Sequence, residues 1–178
     1  MGEEGLLTRE EAVRVLEEGR AEIGALLARV PKADLERPGI GGGEWSPRDL
    51  VGHLESWEEH ALDALAAWER GERAPIDRLI SSRGINRINA DDVARKASLS
   101  CSEARRRADA THARIIEAIR TMPDERWRTP ATARARKPLG VRLGELQGGP
   151  RGLFMHADAH VEDLVEFVRE RMSGRHSR

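Results

Sequence analysis

The residues with the clearest capacity for chemistry are six histidines: His53, His60, His112, His156, His160 and His176. Only one pair has chelating spacing, His156-Ala157-Asp158-Ala159-His160. Residues four apart on a helix share a face, with Cβ atoms roughly 5–6 Å apart, so both imidazoles can reach one ion. That spacing alone is a weak signal, because two amphipathic rings on a half-exposed face produce it equally well. His53 supplies context. It lies early in a helix capped by Ser46, and its i+4 neighbour Trp57 falls on that helix's apolar stripe. This turns His53 toward the interior or mouth of a bundle. A single histidine there is ordinarily a hydrogen-bonded core residue. Three from two helices fit the way bundle cores build metal sites from facing helices. Three imidazoles leave two or three positions open to water or substrate. Neutral nitrogen donors without a thiolate suit Zn, Ni, Fe or Co.

Other residues carry weaker signals. Glu55, Glu58 and Glu59 follow His53 and are expected on a solvated helix face. His60 stands two turns from His53, too far to share its ion. Asp163 follows His160 closely enough to orient it, although a surface salt bridge explains it as well. Cys101 opens a helix, where the dipole can lower a thiol pKa, but no histidine adjoins it in sequence and it reads as incidental. Arg126, Arg128, Arg134, Arg136, Lys137, Arg142 and Arg151 make one stretch locally basic. A solvated, mobile loop is the simplest reading, with an anionic substrate or a nucleic-acid backbone as the alternative. Trp45, Trp57 and Trp127 can line an apolar pocket together with Arg151, and core packing explains the tryptophans equally well.

These side chains need rigid elements behind them. Thr8-Arg9-Glu10-Glu11 reads as a capping box, followed by Val13, Leu16, Ile23, Leu26, Leu27 and Val30 at helical spacing until Pro31. Residues 31–45, with two prolines and Gly41-Gly42-Gly43, form a connection. Ser46-Pro47-Arg48-Asp49 is a strong second start, with Leu50, Leu54, Trp57, Ala61, Leu65 and Trp68 as its buried stripe and Gly71 as its end. Residues 72–82 read as irregular, and a shorter helix is expected over 84–97. Ser100-Cys101-Ser102-Glu103 opens another helix, to about Thr121. Residues 123–149 show no clear period and read as a long, partly irregular basic loop. The last helix is expected from near Pro150 to about Met172, with 173–178 as a disordered tail. No stretch alternates long enough for a sheet, so the predicted class is all-α, as one domain over 1–178.

Composition narrows the function classes. A third of the 178 residues are charged and the net charge is −1, which argues against nucleic-acid binding by overall electrostatics. No apolar run approaches the roughly 18–20 residues of a membrane span. The acidic N-terminus lacks the pattern of a secretory signal, and one cysteine precludes an intrachain disulfide. The expectation is a soluble, cytoplasmic protein.

The segment Gly43-Glu44-Trp45-Ser46-Pro47-Arg48-Asp49-Leu50-Val51-Gly52-His53-Leu54, followed by Trp57-Glu58, resembles the signature helix of the DinB-like superfamily. The resemblance implies a DinB-like four-helix bundle, here with an additional short helix and a long basic loop before the last helix. It implies that His53 joins His156 and His160 in a three-histidine site for nickel, zinc or iron, and that Glu58, in the Trp-Glu pair, is the best base or supporting residue. Trp68-x-x-Gly71, Gly84-Ile85-Asn86-Arg87-Ile88-Asn89, Ser100 and Met122-Pro123-Asp124-Glu125-Arg126-Trp127 resemble the DfsB/ClbS-like branch in particular. Residues 128–149 match nothing in that pattern. Two chemistries follow from the resemblance: hydrolysis of a strained electrophile in a self-resistance protein, slightly favoured, and transfer of a low-molecular-weight thiol as cosubstrate, as in mycothiol-dependent maleylpyruvate isomerase-like or bacillithiol-dependent proteins. A non-catalytic protein that sequesters a ligand or damaged DNA is the reading from another class. A small-molecule substrate and a homodimer are the expected partners.

Overall fold

Each capping box read from the sequence opens a long helix in the computed structural model, which describes residues 5–173. Helix α1 spans Arg9–Arg29, with the Thr8 hydroxyl accepting from the Glu11 N–H. Helix α2 spans Pro47–Glu69 behind the Ser46–Asp49 box. Helices α3 (Pro75–Arg83) and α4 (Ile85–Lys96) follow, then α5 (Cys101–Thr121) behind the Ser100–Glu103 box. Two short helices, α6 (Asp124–Arg128) and α7 (Leu139–Leu146), precede α8 (Val161–Ser173). The described residues contain no strand, only two isolated bridges. The class is all-α. Among the described residues, no helix is long and apolar enough to cross a membrane. Of the tail expected over 173–178, Ser173 closes α8, and residues 174–178, His176 among them, lie outside the described residues.

The four long helices pack α2 on α5, α5 on α1 and α1 on α8. Their apolar faces build two cores. One, around Ile23, Leu27, Leu50, Leu54, Leu164 and Phe167, lies toward the start of α2. The other, around Leu16, Ala61, Trp68, Ile115, Trp127 and Leu143, lies toward its end. His53 lies on α2 between Leu50 and Leu54 of the first core, one turn before Trp57 of the second.

Helix α2 corrects one expectation. It is the central element, covered by α5, α4, α3 and α7. Its face after His53 is therefore enclosed, and Glu55 and Glu58 are buried rather than solvated. Each finds a partner. Lys96 Nζ, itself buried, lies 2.8 Å from Glu55 Oε2 and 3.0 Å from Glu59 Oε2. His60 pairs with Asp92 at 2.8 Å, and Trp57 Nε1 donates to Asn89 Oδ1 at 3.0 Å. These contacts fasten α4 across α2.

Three further expectations change. Residues 72–82 are mostly helical, because Pro75 presets the first turn of α3 and Ile76 anchors it in the core. The stretch 123–149 contains α6 and α7. The last helix starts at Val161 rather than near Pro150, since residues 149–156 form a chain of turns leading to a 3₁₀ turn at Ala157–His160. Helix α7 escapes a pattern reading because Gly140 and Gly144 interrupt it. Those glycines let two rings lie against its backbone. A Cβ on Gly140 would stand 2.3 Å from Trp127 Cε2, and one on Gly144 2.7 Å from Phe154 Cε2. Trp127 and Phe154 stack at 6.0 Å between centroids, both buried. Trp127 cannot retreat, so Gly140→Ala should destabilise the fold by about 1–3 kcal/mol despite alanine's better helix propensity. Urea unfolding measures this, and an unchanged or raised midpoint would show that the ring contact is slack.

Candidate metal centre

His53 is carried by a helix with a complete capping box and a proline in its first turn. The Ser46 hydroxyl accepts from the Asp49 N–H, and the Asp49 carboxylate accepts from the Ser46 N–H at 3.0 Å. Two turns in, the His53 ring is 2% exposed and turned inward. Trp45 flanks it at 4.7 Å between centroids.

His156 and His160 arrive by a different route from the regular helix expected. The strap from α7 is pinned by Phe154 N–H to Gly144 O (3.0 Å) and by His156 N–H to Gln147 O (2.9 Å). The buried Gln147 side chain donates to the Trp57 carbonyl at 2.6 Å, which ties this strap to α2 beside His53. Gly149 is required here, because a Cβ would stand 2.5 Å from Met155 O. The 3₁₀ turn then sets His156 and His160 at the entrance of α8. Arg151 braces that entrance through Asp158 (3.2 Å) and Glu162 (2.9 Å).

The three rings converge. His53 Nε2 and His156 Nε2 are 3.0 Å apart, and His156 Nε2 and His160 Nε2 are 3.4 Å apart. One ligand atom from each residue lies within 4.8 Å of the other two. With metal–nitrogen bonds of about 2.0–2.1 Å, two donors on one ion stand roughly 3.0 Å apart at a right angle and 3.4 Å apart at the tetrahedral angle. The observed separations fit that range. Burial holds these rings neutral, as ligation requires. The His53 pKa is lowered to about 2, first by desolvation and then by His156 and His160. The His156 pKa is lowered to about 3 by desolvation, then by His160. His160 is lowered by desolvation, against an opposing pull from Asp163. Asp163 thus sits close enough to act on His160, while its carboxylate packs over Gly41.

The histidines line a cleft of about 310 Å³, walled by Trp57, Ile80, Ile85, Asn89 and the Gly148-Gly149-Pro150 backbone. Glu145 is the one carboxylate on this lining, and it is engaged by Lys137 and by Arg142 (3.0 Å).

The other sequence candidates separate from this centre to different degrees. Trp57 lines the cleft, 6.0 Å from His156 between centroids. Trp45 instead flanks the histidines, 6.4 Å from His160. Trp127 has no exposed surface and donates from Nε1 to Leu7 O at 2.8 Å, so it is a core residue and not a cleft wall. Arg151 is an exposed brace at the α8 entrance and lies outside the cleft lining. Glu58 is behind the histidines. Its Oε1 lies 2.6 Å from His112 Nδ1, and its Oε2 is buried without a partner. Glu58, Gln147 and His156 together line a small cavity of about 20 Å³, room for one water. Burial raises the Cys101 thiol pKa, opposite to an activated nucleophile. The basic stretch is largely ordered: Arg126 bonds Pro130 O and Ala131 O, and Arg128 pairs with Asp124. Gln147, Asn89 and the Glu58–His112 contact were missed by sequence reasoning. None has a local signature, since each acts on a partner 32 or more residues away.

Comparison with known proteins agrees with the fold. Two crystal structures, of the mycothiol-dependent maleylpyruvate isomerase and of a histidine-to-alanine mutant of it, share the fold with a TM-score of 0.63 each. They are 19% and 18% identical to this chain over 86% of its length. The chain spans only 61% of theirs. No curated protein sequence is matched. Residues 16–148 match the DinB superfamily, a segment that includes His53 and ends before His156. The chain belongs to the DinB superfamily.

Proposed function

We propose that this protein is a metal-dependent enzyme that joins a small nucleophile to a reactive small-molecule electrophile, with a low-molecular-weight thiol as the nucleophile. The observation that carries the reading is the convergence of the His53, His156 and His160 Nε2 atoms on a cleft with no free carboxylate. Those three residues would hold one divalent ion, zinc, nickel or iron by donor type. When bound, the ion supplies positive charge that lowers the pKa of a thiol or water beside it. A thiol, with an ordinary pKa of about 8.5, needs no separate base to ionise under that influence. Glu145 is committed to Lys137 and Arg142, and Glu58 lies behind His156 rather than in the cleft. This ordering reverses the slight preference for hydrolysis drawn from the sequence. The fold shared with a mycothiol-dependent isomerase supports it.

The chain's own residues have separable tasks. Trp57, Ile80 and Ile85 give the cleft apolar walls against which an apolar part of the electrophile can pack. The Asn89 oxygen is already taken by Trp57, which fixes that wall. Glu58 is a positioning residue in this scheme, acting on the far edge of His156 across the small cavity.

Metal-loaded protein incubated with maleyl-type, epoxide and cyclopropane compounds, with and without added thiols, should form thiol adducts or thiol-dependent isomers. Mass spectrometry reads the products. Water addition without thiol would replace this reading by the hydrolase. One-to-one binding without turnover would replace it by sequestration.

A further inference from the structure

We propose that a second cavity, between α3, the 130–138 loop and α7, binds a small polyanion through the guanidinium groups of Arg134 and Arg136. The ligand class is an organic molecule bearing phosphate or several carboxylates. This inference is independent of the metal centre.

The cavity measures about 660 Å³, twice the volume of the histidine cleft. The Arg142–Asp77 pair (3.0 Å), which joins α7 to α3, stands on its wall. Five cations line it: Arg73, Arg134, Arg136, Lys137 and Arg142. Asp77 is the one carboxylate among the lining residues, and Arg142 holds it. Lys137 and Arg142 are also both compensated by Glu145. Arg73 spends its Nη2 on Asp77 O (2.9 Å) and Ser81 Oγ (2.8 Å), and its charge has no carboxylate partner among the described residues. Arg134 and Arg136 make neither an ion pair nor a hydrogen bond among the described residues.

The concentration of charge is local, because the whole chain carries a net charge of −1. Like charges gathered in one concavity raise its potential and lower the free energy of an anion there. The loop that presents the two arginines is fastened at its neck. Leu139 N–H donates to Thr129 O at 2.7 Å, Pro130 and Pro138 form a bridge, and Arg126 holds the Pro130 and Ala131 carbonyls. Two guanidinium groups on a pinned loop offer planar, paired donors that match phosphate and carboxylate oxygens. A concave site of this size suits a compact ligand better than a nucleic-acid strand, which needs a track of cations along a surface.

The test is calorimetric titration of metal-stripped protein, at constant ionic strength, with inorganic pyrophosphate, with citrate and with a single-stranded oligonucleotide. Saturable one-to-one binding of pyrophosphate or citrate is expected, and the tighter of the two identifies the anion class. The Arg134→Glu/Arg136→Glu double variant should weaken it by about tenfold or more. Arg169→Glu, on α8, away from the cavity and paired with Glu166, should leave it unchanged. Circular dichroism should show both variants folded, since the two loop arginines hold nothing in place. The proposal is overturned by no saturable binding of either small anion, or by equal affinity in wild type and the double variant. Oligonucleotide binding tighter than both small anions, and lost in the double variant, would overturn it in favour of a nucleic-acid surface. Because the protein is metal-stripped, none of these outcomes bears on the histidine centre.

Discussion

His53→Ala should reduce divalent-metal affinity by more than a hundredfold, beyond the 10–100-fold typical of losing a supporting partner of a ligand. The reason is geometric. His53 stands on α2, whereas His156 and His160 both come from the strap and turn before α8. Removing His53 leaves a two-histidine chelate on one side of the cleft with nothing opposite. His53 is 2% exposed, so alanine also leaves a cavity that costs about a few kcal/mol. His53→Gln, which keeps most of the volume, separates the two effects. It should retain helicity and a near-native unfolding midpoint while binding metal as poorly as alanine does. Elemental analysis after loading, with circular dichroism alongside, reads both quantities. Equal metal content in wild type and His53→Gln would remove the centre from this protein, and with it the proposed chemistry.

The parts of this arrangement that could be read from sequence are those encoded locally. Capping boxes fix α1, α2 and α5 because a hydroxyl and a carboxylate three residues apart satisfy the same turn. The four-residue spacing of His156 and His160 still brings their Nε2 atoms within 3.4 Å, although a 3₁₀ turn, in which residues three apart eclipse, replaces the expected α-helix. What could not be read is whatever depends on what covers what. The glutamates after His53 look solvated on any amphipathic helix, and only the arrival of Lys96 from α4 and His112 from α5 makes them interior. Helix α7 looks like a loop because Gly140 and Gly144 lower its propensity, and their value lies in two rings that come from elsewhere. Trp127 looks like a pocket residue for the same reason: composition marks a large aromatic, and packing alone decides which side of α7 it joins.

Metal-free protein should lose stability steeply on acidification between pH 6.5 and 4.5, with each buried ligand histidine contributing up to about 1.4 kcal/mol per pH unit. The sign follows from the direction of the shifts. Folded pKa values of about 2 for His53 and about 3 for His156 lie far below the unfolded value of about 6.5. In that window the unfolded chain binds protons that the folded chain refuses, so acid favours unfolding. Desolvation is the main cause for both, and it persists whether or not the neighbouring rings are charged. By pH 4.5 the two together remove on the order of 5 kcal/mol, a large share of an ordinary domain's stability. Glu59 and Asp92 also have lowered pKa values, but their contributions are lost only below the normal carboxylate range, which leaves this window to the histidines. Urea midpoints at pH 7.5, 6.5, 5.5 and 4.5 give the slope. His53→Leu should flatten it by roughly a third to a half, because leucine takes up no proton in either state and the lowered His156 and His160 remain. Saturating metal should raise stability at every pH in the series, since it binds only the folded arrangement of the three nitrogens. A slope that is flat in wild type, or unchanged in His53→Leu, would mean that these rings are reached by water and protonate as exposed histidines do.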